Sequence, residues 1–565
     1  MTDWVLALGG SNHDFSCALM RGHDIVVGIE EERLSRRKHG QAHFYENPVL
    51  RSMRYCLDAG GITLDDVSAI VSSDLLPARV RYELGNRPPK LYPHHLCHAA
   101  SVAMLLPPRS TAAILIYDGA GSILAREPEC DGMPARNRRE TFTFYLYDPP
   151  HFHTLGQTTG TGVFEADEFP ISLTNSIGLL YEFVTALIGF HHMDAGKTMG
   201  LAAHGTPRHL PLFMQFVRFG NTPDDCFACD IENPALRDAL EGVLADSGGS
   251  FAAKADLAAS VQELVNRTLA HCVSLFGTYD YDWLCLAGGC ALNTVATSAL
   301  IETQPKDVPV RVPAHSGDAG LAFGALLLYA LEREPSGTAL TFRGGALYPD
   351  LARPGRRYSC EETLAAAARF YPRLAQDASV SRPADLARLL ATGDIIGIVN
   401  GASEIGPRAL GGRSILADPR KASTRETINR RIKGREPFRP LAPIVLASAY
   451  ETFFTDPRQA DSCMLKVARA NDHCRRVAPS VVHVDGTARV QIVDEVNGDP
   501  FLIELLRAFA DITELPMLLN TSFNRRGEPI VETPADAIEA FLAMKLDGLY
   551  LDGLYYRTAG ETGVG

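Results

Sequence analysis

The chain has 565 residues, 46% of them hydrophobic and 21% charged, with a formal net charge of −13. This is ordinary globular composition, at a length that suits two large domains or several small ones. The acidic balance argues against broad nucleic-acid or anionic-membrane binding, because both need a large basic face. The opening MTDWVLALGG lacks a basic n-region and a long apolar run, so no signal peptide is expected. The longest apolar stretch, LAFGALLLYAL from Leu321, is about half of what a bilayer span needs. Twelve cysteines are scattered singly, apart from Cys226 and Cys229, whose CxxC has no second pair to complete a zinc site. Reduced, buried thiols in a cytoplasmic protein are the expectation.

In chain order, a strand (WVLALGG, from Trp4) leads through an acidic turn, SNHD, into a hairpin of SCALMR and DIVVGIEEE joined at Gly22. Next comes Pro93-His94-His95-Leu96-Cys97-His98. Proline suits the first helical turn, and His94 and His98 then lie one turn apart on one face, the spacing a single cation needs. His95 points about 100° away. The bland alternative is a pair of solvated helix histidines. Near Ala112 the opening pattern returns: AAILIYD, a glycine turn at Gly119 and Gly121, then TFTFYLYD. A strand, an acidic turn and a hairpin occurring twice, each followed by helices, resembles the way the actin-like/sugar-kinase superfamily builds two lobes. Asp118 ends the strand ILIYD, and Asp318 sits in HSGDAGLAFGA at a turn before an apolar helix. Either could be a helix cap or a turn former. In that superfamily carboxylates at such turns hold the nucleotide's metal. Two imidazoles and two carboxylates without a thiolate suit iron, zinc or manganese, with positions left open for phosphate.

Helical periodicity dominates from Ser176 to about Phe276, with Gly277 as a C-cap. Within it, Lys197 of DAGKTMGLAAHG could meet phosphate charge or be a solvated loop lysine. The strand WLCLAGG follows, and Gly288 and Gly289 open a helix where backbone can approach a phosphate or an adenosine. Asn293 could hydrogen-bond a nucleotide or simply be a polar residue at a helix start. Little periodicity marks the stretch after residue 335, beyond one helix near Thr363–Phe370, and the domain boundary is placed there. The last third begins with the strand DIIGIVN at Asp394.

Residues 404–440 hold ten Lys/Arg against four Asp/Glu, a local +6 in an acidic chain. Anion binding by Arg408, Arg413, Lys433, Arg435 and Arg439 would explain it. A solvated basic helix from Thr424 to Lys433 is the alternative, and it suffices for Arg425, Arg430 and Arg431. Arg489 lies in DGTARVQIV on an expected strand. Ser522 and Asn524 follow the strand PMLL, which puts a hydroxyl and an amide at a strand end.

Taken together, HDFSCAL, EEERLSRRKHG, HHLCHAAS, DGAG, GKTMGLAAHG, LAGGCALN, GDAGLAFGA, EIGPRALGGRSILADPR, IKGREPFRPLAP, DGTARVQ and NTSFNRRGEPIVETPADA resemble the NodU/CmcH family of O-carbamoyltransferases, in family order from residue 13 to 537. The resemblance implies an α/β protein: a two-lobed, actin-like, TsaD-like transfer domain over residues 1–345, a linker over 346–385, and a YrdC-like carbamoyl-adenylate-forming domain over 386–565. It implies that His94, His98, Asp118 and Asp318 ligate a divalent metal, Fe2+ first, with Zn2+ or Mn2+ as alternatives. It places His13 and Lys38 on the acceptor side, and Arg408, Lys433, Arg489 and Ser522 on ATP and carbamoyl phosphate, with Mg2+ accompanying ATP. His13, at an ordinary imidazole pKa, would take the acceptor's proton. Residues 122–140 and 156–174 look longer than the family's usual connections and are read as loops that shape the acceptor pocket. The acceptor is expected to be a small-molecule alcohol, an antibiotic or other natural product that could be glycosylated; which one, and the oligomeric state, stay open, a homodimer being compatible. Rival readings are a threonylcarbamoyl-type tRNA-modifying enzyme, a plain sugar kinase and a nucleotide-binding regulatory protein.

Overall fold

The computed structural model describes residues 3–11, 13–40, 50–127, 135–163, 173–277, 279–305, 307–334, 340–345, 347 and 350–559. The chain divides into two compact units: Met1–Val26 with Gln41–Leu347, and Val27–Gly40 with Tyr348–Gly565.

The first unit contains β1 (Trp4–Gly9), β2 (Ser16–Arg21), the start of β3 (Asp24–Glu30), β4 (Val67–Ser73), β5 (Lys90–Tyr92), β6 (Ala112–Tyr117), β7 (Ile123–Glu127), β8 (Arg136–Asp148), β9 (His151–Val163), the short pair β10 (Val217–Arg218) and β11 (Ala228–Cys229), β12 (Trp283–Ala287), β13 (Val310–Arg311) and β14 (Thr341–Phe342). One sheet runs β14-β3-β2-β1-β4-β5 and another β13-β12-β6-β8-β7. β1 is antiparallel to β2 and parallel to β4, which is parallel to β5. β6 repeats this: antiparallel to β8, parallel to β12, and β12 parallel to β13. The duplicated sequence pattern is thus a duplicated topology. The central strands are apolar throughout and buried, as strands covered on both faces should be.

Residues 122–140 and 156–174, read from the sequence as loops, are corrected over their described parts. β7 pairs with β8, and β8 runs antiparallel to β9 from Arg136↔Val163 to Asp148↔His151. Thr158, Thr159 and Thr161 are β-branched and suit a pleated ladder, which a reading by polarity overlooks. Positions 128–134 and 164–172 lie outside the described residues.

The second unit contains β15 (Leu374–Gln376), β16 (Ile396–Val399), β17 (Arg413–Ala417), β18 (Ala442–Leu446), the pair β19 (Ala468–Arg469) and β20 (Thr487–Ala488), β21 (Gln491–Val493), β22 (Met517–Ser522), β23 (Gly548–Leu551) and β24 (Leu554–Thr558). Its main sheet runs β15-β24-β23-β16-β17-β22-β18-β21. Helices Pro383–Thr392 and Pro500–Thr513 pack against each other, and both bury leucines in the core of this unit. The stretch 346–385, expected to be a linker, is over its described residues part of this packed body. Phe370, Leu374 and Val380 are core residues, and β15 pairs with β24. Arg489, expected on a strand, stands in the turn between β20 and β21. Cys226 and Cys229 are buried free thiols. Among the described residues no helix is long and apolar enough to cross a membrane.

Candidate functional site

In the first unit, helix His94–Ala103 turns His94 and His98 to one face, as their spacing predicts, and both are buried. Helix Leu321–Arg333 lies against it. A Cβ at Gly324 would overlap the Cys97 carbonyl, so glycine lets the two backbones touch. This approach brings Asp318, in the turn just before that helix, to the histidines. Asp118 arrives from the end of β6.

The Nε2 atoms of His94 and His98 are 3.2 Å apart. Asp118 Oδ2 lies 3.3 Å from His94 Nε2 and 3.4 Å from His98 Nε2. Asp318 Oδ1 lies 3.6 and 3.5 Å from the same two atoms. Around a tetrahedral ion with bonds of about 2.0–2.1 Å, donors stand about 3.3 Å apart. The four donor atoms lie within 4.8 Å of one another, so the cluster could hold a metal ion. The carboxylates are aimed by their other oxygens. Asp118 Oδ1 accepts from Gly119 N at 2.8 Å and Gly289 N at 3.0 Å, and Asp318 Oδ2 accepts from Ser11 Oγ at 2.8 Å. Burial opposes the charge of Asp118, but hydrogen bonds from His94 and His98 hold its carboxyl well below the usual range.

Gly288 has φ +94°, and a Cβ there would overlap the Tyr117 carbonyl, so the turn after β12 requires glycine and seats Gly289 N on Asp118. Asn293 is a helix cap: its Oδ1 accepts from Ala296 N at 3.1 Å and its Nδ2 donates to Gln262 Oε1 at 3.0 Å. Lys197 pairs with Asp194 at 2.8 Å. His13 meets Asp14 Oδ2 through Nδ1 at 3.0 Å. Burial depresses its pKa, but the Asp14 hydrogen bond and the charges of Asp318, Asp14 and Glu182 raise it to about 9. The ordinary imidazole value expected for His13 is therefore corrected upward. Lys38 is exposed on a turn of the stretch 27–40, in the second unit.

Sequence reasoning missed a buried layer behind His94. Ser122 Oγ accepts from His94 N at 2.9 Å and donates to Asp74 Oδ1 at 3.1 Å. Glu140 Oε2 accepts from Ser122 N at 2.9 Å, and Gln157 Nε2 donates to Glu140 Oε1 at 2.6 Å. Asp74 directly follows β4 as Asp118 follows β6, a signal the duplicated pattern carried.

The second unit gathers cations. Lys433 is buried, and its Nζ donates to Ser522 O at 2.6 Å, Ser522 Oγ at 3.0 Å and Asn524 Oδ1 at 3.0 Å. These are neutral oxygens. Burial, then the charges of Arg435 and Arg439, push the ammonium well below its usual pKa. Burial with Arg489 and Arg439 does the same to Arg408. Arg435 is pushed down to about 9 by burial, Arg439 and Arg489, against Glu436; Arg489 is pushed down to about 10 by burial and Arg439. Each of these cations is thus held below its usual pKa by burial and by a neighbouring cation.

Arg413 does not belong to this group. It is fully buried, donating to Glu532 O, Gly401 O and Gly412 O, each at 2.9 Å, so its expected role on phosphate is corrected to one of pinning backbone. Arg425 donates to Val482 O, and Arg430 pairs with Glu426 on the surface.

One unit thus holds two histidines and two aspartates beside a glycine turn, and the other a group of cations that burial and one another's charge push down. Residues 79–327 match the family model described as carbamoyltransferase N-terminus, and residues 387–558 the model described as carbamoyltransferase C-terminus. Nodulation protein NolNO of Sinorhizobium fredii is 33% identical, over 95% of this chain and 78% of that protein. Nodulation protein NolO of Bradyrhizobium diazoefficiens is 37% identical, over 69% of this chain and 70% of that protein. Nodulation protein U of Sinorhizobium fredii is 33% identical, over 49% of this chain and 46% of that protein. The chain belongs to the carbamoyltransferase family, and it is a carbamoyltransferase enzyme.

Proposed function

We propose that this enzyme forms carbamoyl adenylate from ATP and carbamoyl phosphate in its second unit, and transfers the carbamoyl group in its first unit to a hydroxyl of a small-molecule natural product. The observation that carries the reading is the buried Lys433, hydrogen-bonded to neutral oxygens and under the charges of Arg435 and Arg439, with Arg439 acting in turn on Arg408 and Arg489. Such a group of charges is costly until an anion enters.

Nitrogen donation into the carbonyl makes carbamate a poor electrophile, so activation is required. Water cleaves carbamoyl phosphate to carbamate and inorganic phosphate; a carbamate oxygen then bonds to the α-phosphorus of ATP, carried with Mg2+, as the bond from that phosphorus to the bridging oxygen breaks and pyrophosphate leaves. Lys433, Arg408 and Arg489 offset the charge on the phosphoryl oxygens, with Ser522 and Asn524 holding the ammonium in place. In the first unit the acceptor oxygen attacks the carbamoyl carbon and AMP leaves. His94, His98, Asp118 and Asp318 would hold a divalent ion, Fe2+ first, which when bound polarises a carbonyl or fixes a phosphate. A cation on Asp318 would also lower the pKa of His13, and Asp14 orients its ring for taking the acceptor's proton.

The test is purified protein with ATP and carbamoyl phosphate, following pyrophosphate and an adenylated carbamoyl species by mass spectrometry. Pyrophosphate release that depends on carbamoyl phosphate is the expected result. ATP turnover driven instead by threonine and bicarbonate would replace this reading with the tRNA-modifying one.

A further inference from the structure

The stretch Val27–Gly40 belongs to the second unit, although most of the first unit follows it in sequence. Its helix Glu31–Ser35 lies in EEERLSRRK, a stretch so far given a task only at Lys38. Arg33 is fully buried and meets Glu30 Oε2 through Nε at 3.1 Å. Its Nη2 donates to Gly406 O at 2.6 Å, while Gly406 N donates to Glu30 Oε2 at 3.0 Å. One ion pair therefore grips both backbone polar groups of a single residue, and that residue has φ +83° and stands two positions before Arg408. Around the same loop, Glu404 Oε1 accepts from Leu410 N at 2.7 Å, Gly412 N at 2.6 Å and Arg413 N at 3.0 Å. The backbone is thus pinned on both sides of Arg408, whose own Nε has no hydrogen-bond partner among the described residues. Arg36 extends the grip, donating to Ile530 O at 2.6 Å and Pro529 O at 2.8 Å, in the segment that follows Ser522 and Asn524.

Stability alone is a poor reason for a fully buried arginine. Apolar residues of similar volume usually replace a buried ion pair at little cost. A planar guanidinium is, however, the best device for fixing a backbone carbonyl at a set direction. We propose that Glu30 and Arg33 are positioning residues of the anion site: by fixing the peptide at Gly406 they aim the Arg408 guanidinium at the phosphorylated ligand. The inference rests on the anion-binding reading of that site given above.

The test uses the full chain with inorganic pyrophosphate as probe, by calorimetry, together with the KM for ATP and the melting temperature. A double variant, Glu30→Met with Arg33→Met, leaves neither partner of the pair charged and should stay folded. It should bind pyrophosphate at least about tenfold more weakly, the cost of losing charge-assisted hydrogen bonds that hold a ligand group in place. ATP KM should rise with it. Arg33→Lys, which keeps the charge and loses the fork, should fall between the double variant and the wild type. Wild-type pyrophosphate affinity in the double variant, with or without a lower melting temperature, would reduce the pair to a structural role. Should the double variant not fold, wild-type affinity in Arg33→Lys has the same meaning. Failure of the wild-type protein itself to bind pyrophosphate would instead sink the anion site, which separates the two claims.

Discussion

The two units solve opposite charge problems. The first buries Asp118 and Asp318 against two imidazoles, so its cluster has room for positive charge. The second collects Arg408, Lys433, Arg435 and Arg489, which burial and neighbouring cations, Arg439 among them, push down, with Glu436 acting against this at Arg435. On the function proposed above, the first cluster suits a cation and the second an anion. The difference also says that the two halves of the reaction can be broken separately.

The largest separation is expected from Lys433→Ala. Removing the ammonium should lower carbamoyl-phosphate-dependent pyrophosphate release by about 100- to 1000-fold, while metal content stays at the wild-type level. A loss of bound metal in this variant would mean that the units do not act as distinct sites. The converse is His94→Ala. Its metal content, measured by elemental analysis, should fall at least about tenfold, with pyrophosphate release kept. Full metal occupancy would remove His94 from the ligand set.

The grouping of His94, His98, Asp118 and Asp318, and the basic run around Arg408 and Lys433, were legible in the sequence for physical reasons. A four-residue step on a helix puts His94 and His98 on one face whatever the fold, and apolar strands deliver Asp118 and Asp318 at their ends or beyond them. What the sequence could not display were partners far away along the chain. Arg413 sits in the same basic run as Arg408, yet it points into backbone carbonyls of residues 401, 412 and 532, and composition cannot tell the two apart. The stretch 27–40 reads as the continuation of the first hairpin, yet it belongs to the second unit, where it bonds Gly406, Pro529 and Ile530. β7, the first residues of β8 and the later part of β9 read as loop because charged, Gly and Thr residues look like loop composition until a ladder partner is known.

Arg413 allows a further division within the basic run. Arg413→Met should destabilise the protein by about 3–5 kcal/mol in denaturant unfolding, since Glu532 is left buried and three carbonyls lose their donor. Arg430→Met, on the surface, should leave the unfolding midpoint unchanged. Equal effects would mean that burial is not what distinguishes these arginines.

The cation pocket also has a pH signature. Burial, Arg435 and Arg439 hold Lys433 well below its ordinary pKa, and unfolding restores a value of about 10.4. Between the two values the unfolded chain binds the extra proton, so this group's contribution makes the ligand-free protein more stable as pH rises through the folded pKa. A bound anion favours the ammonium and removes that advantage. Sulfate keeps its charge from about pH 6 to about pH 9, so the rise in melting temperature it causes should shrink as pH rises through that range. A rise that grows with pH would place the anion elsewhere.

The smallest effect concerns the boundary between binding and structure in the first unit. Asn293 was a candidate for nucleotide contact, but its carbonyl oxygen caps helix Thr294–Thr303 and its amide is bonded to Gln262. Aspartate caps a helix as well as asparagine does, so Asn293→Asp should change stability by less than about 1 kcal/mol, the Gln262 bond being re-formed by an amide flip of Gln262. Asn293→Ala should cost about 1 kcal/mol for the lost cap. If the cap is the whole role, carbamoyl transfer by Asn293→Asp is that of the wild type. A drop in transfer with stability intact would return Asn293 to the nucleotide side, because a new negative charge beside a phosphorylated ligand repels it whereas a helix start welcomes it.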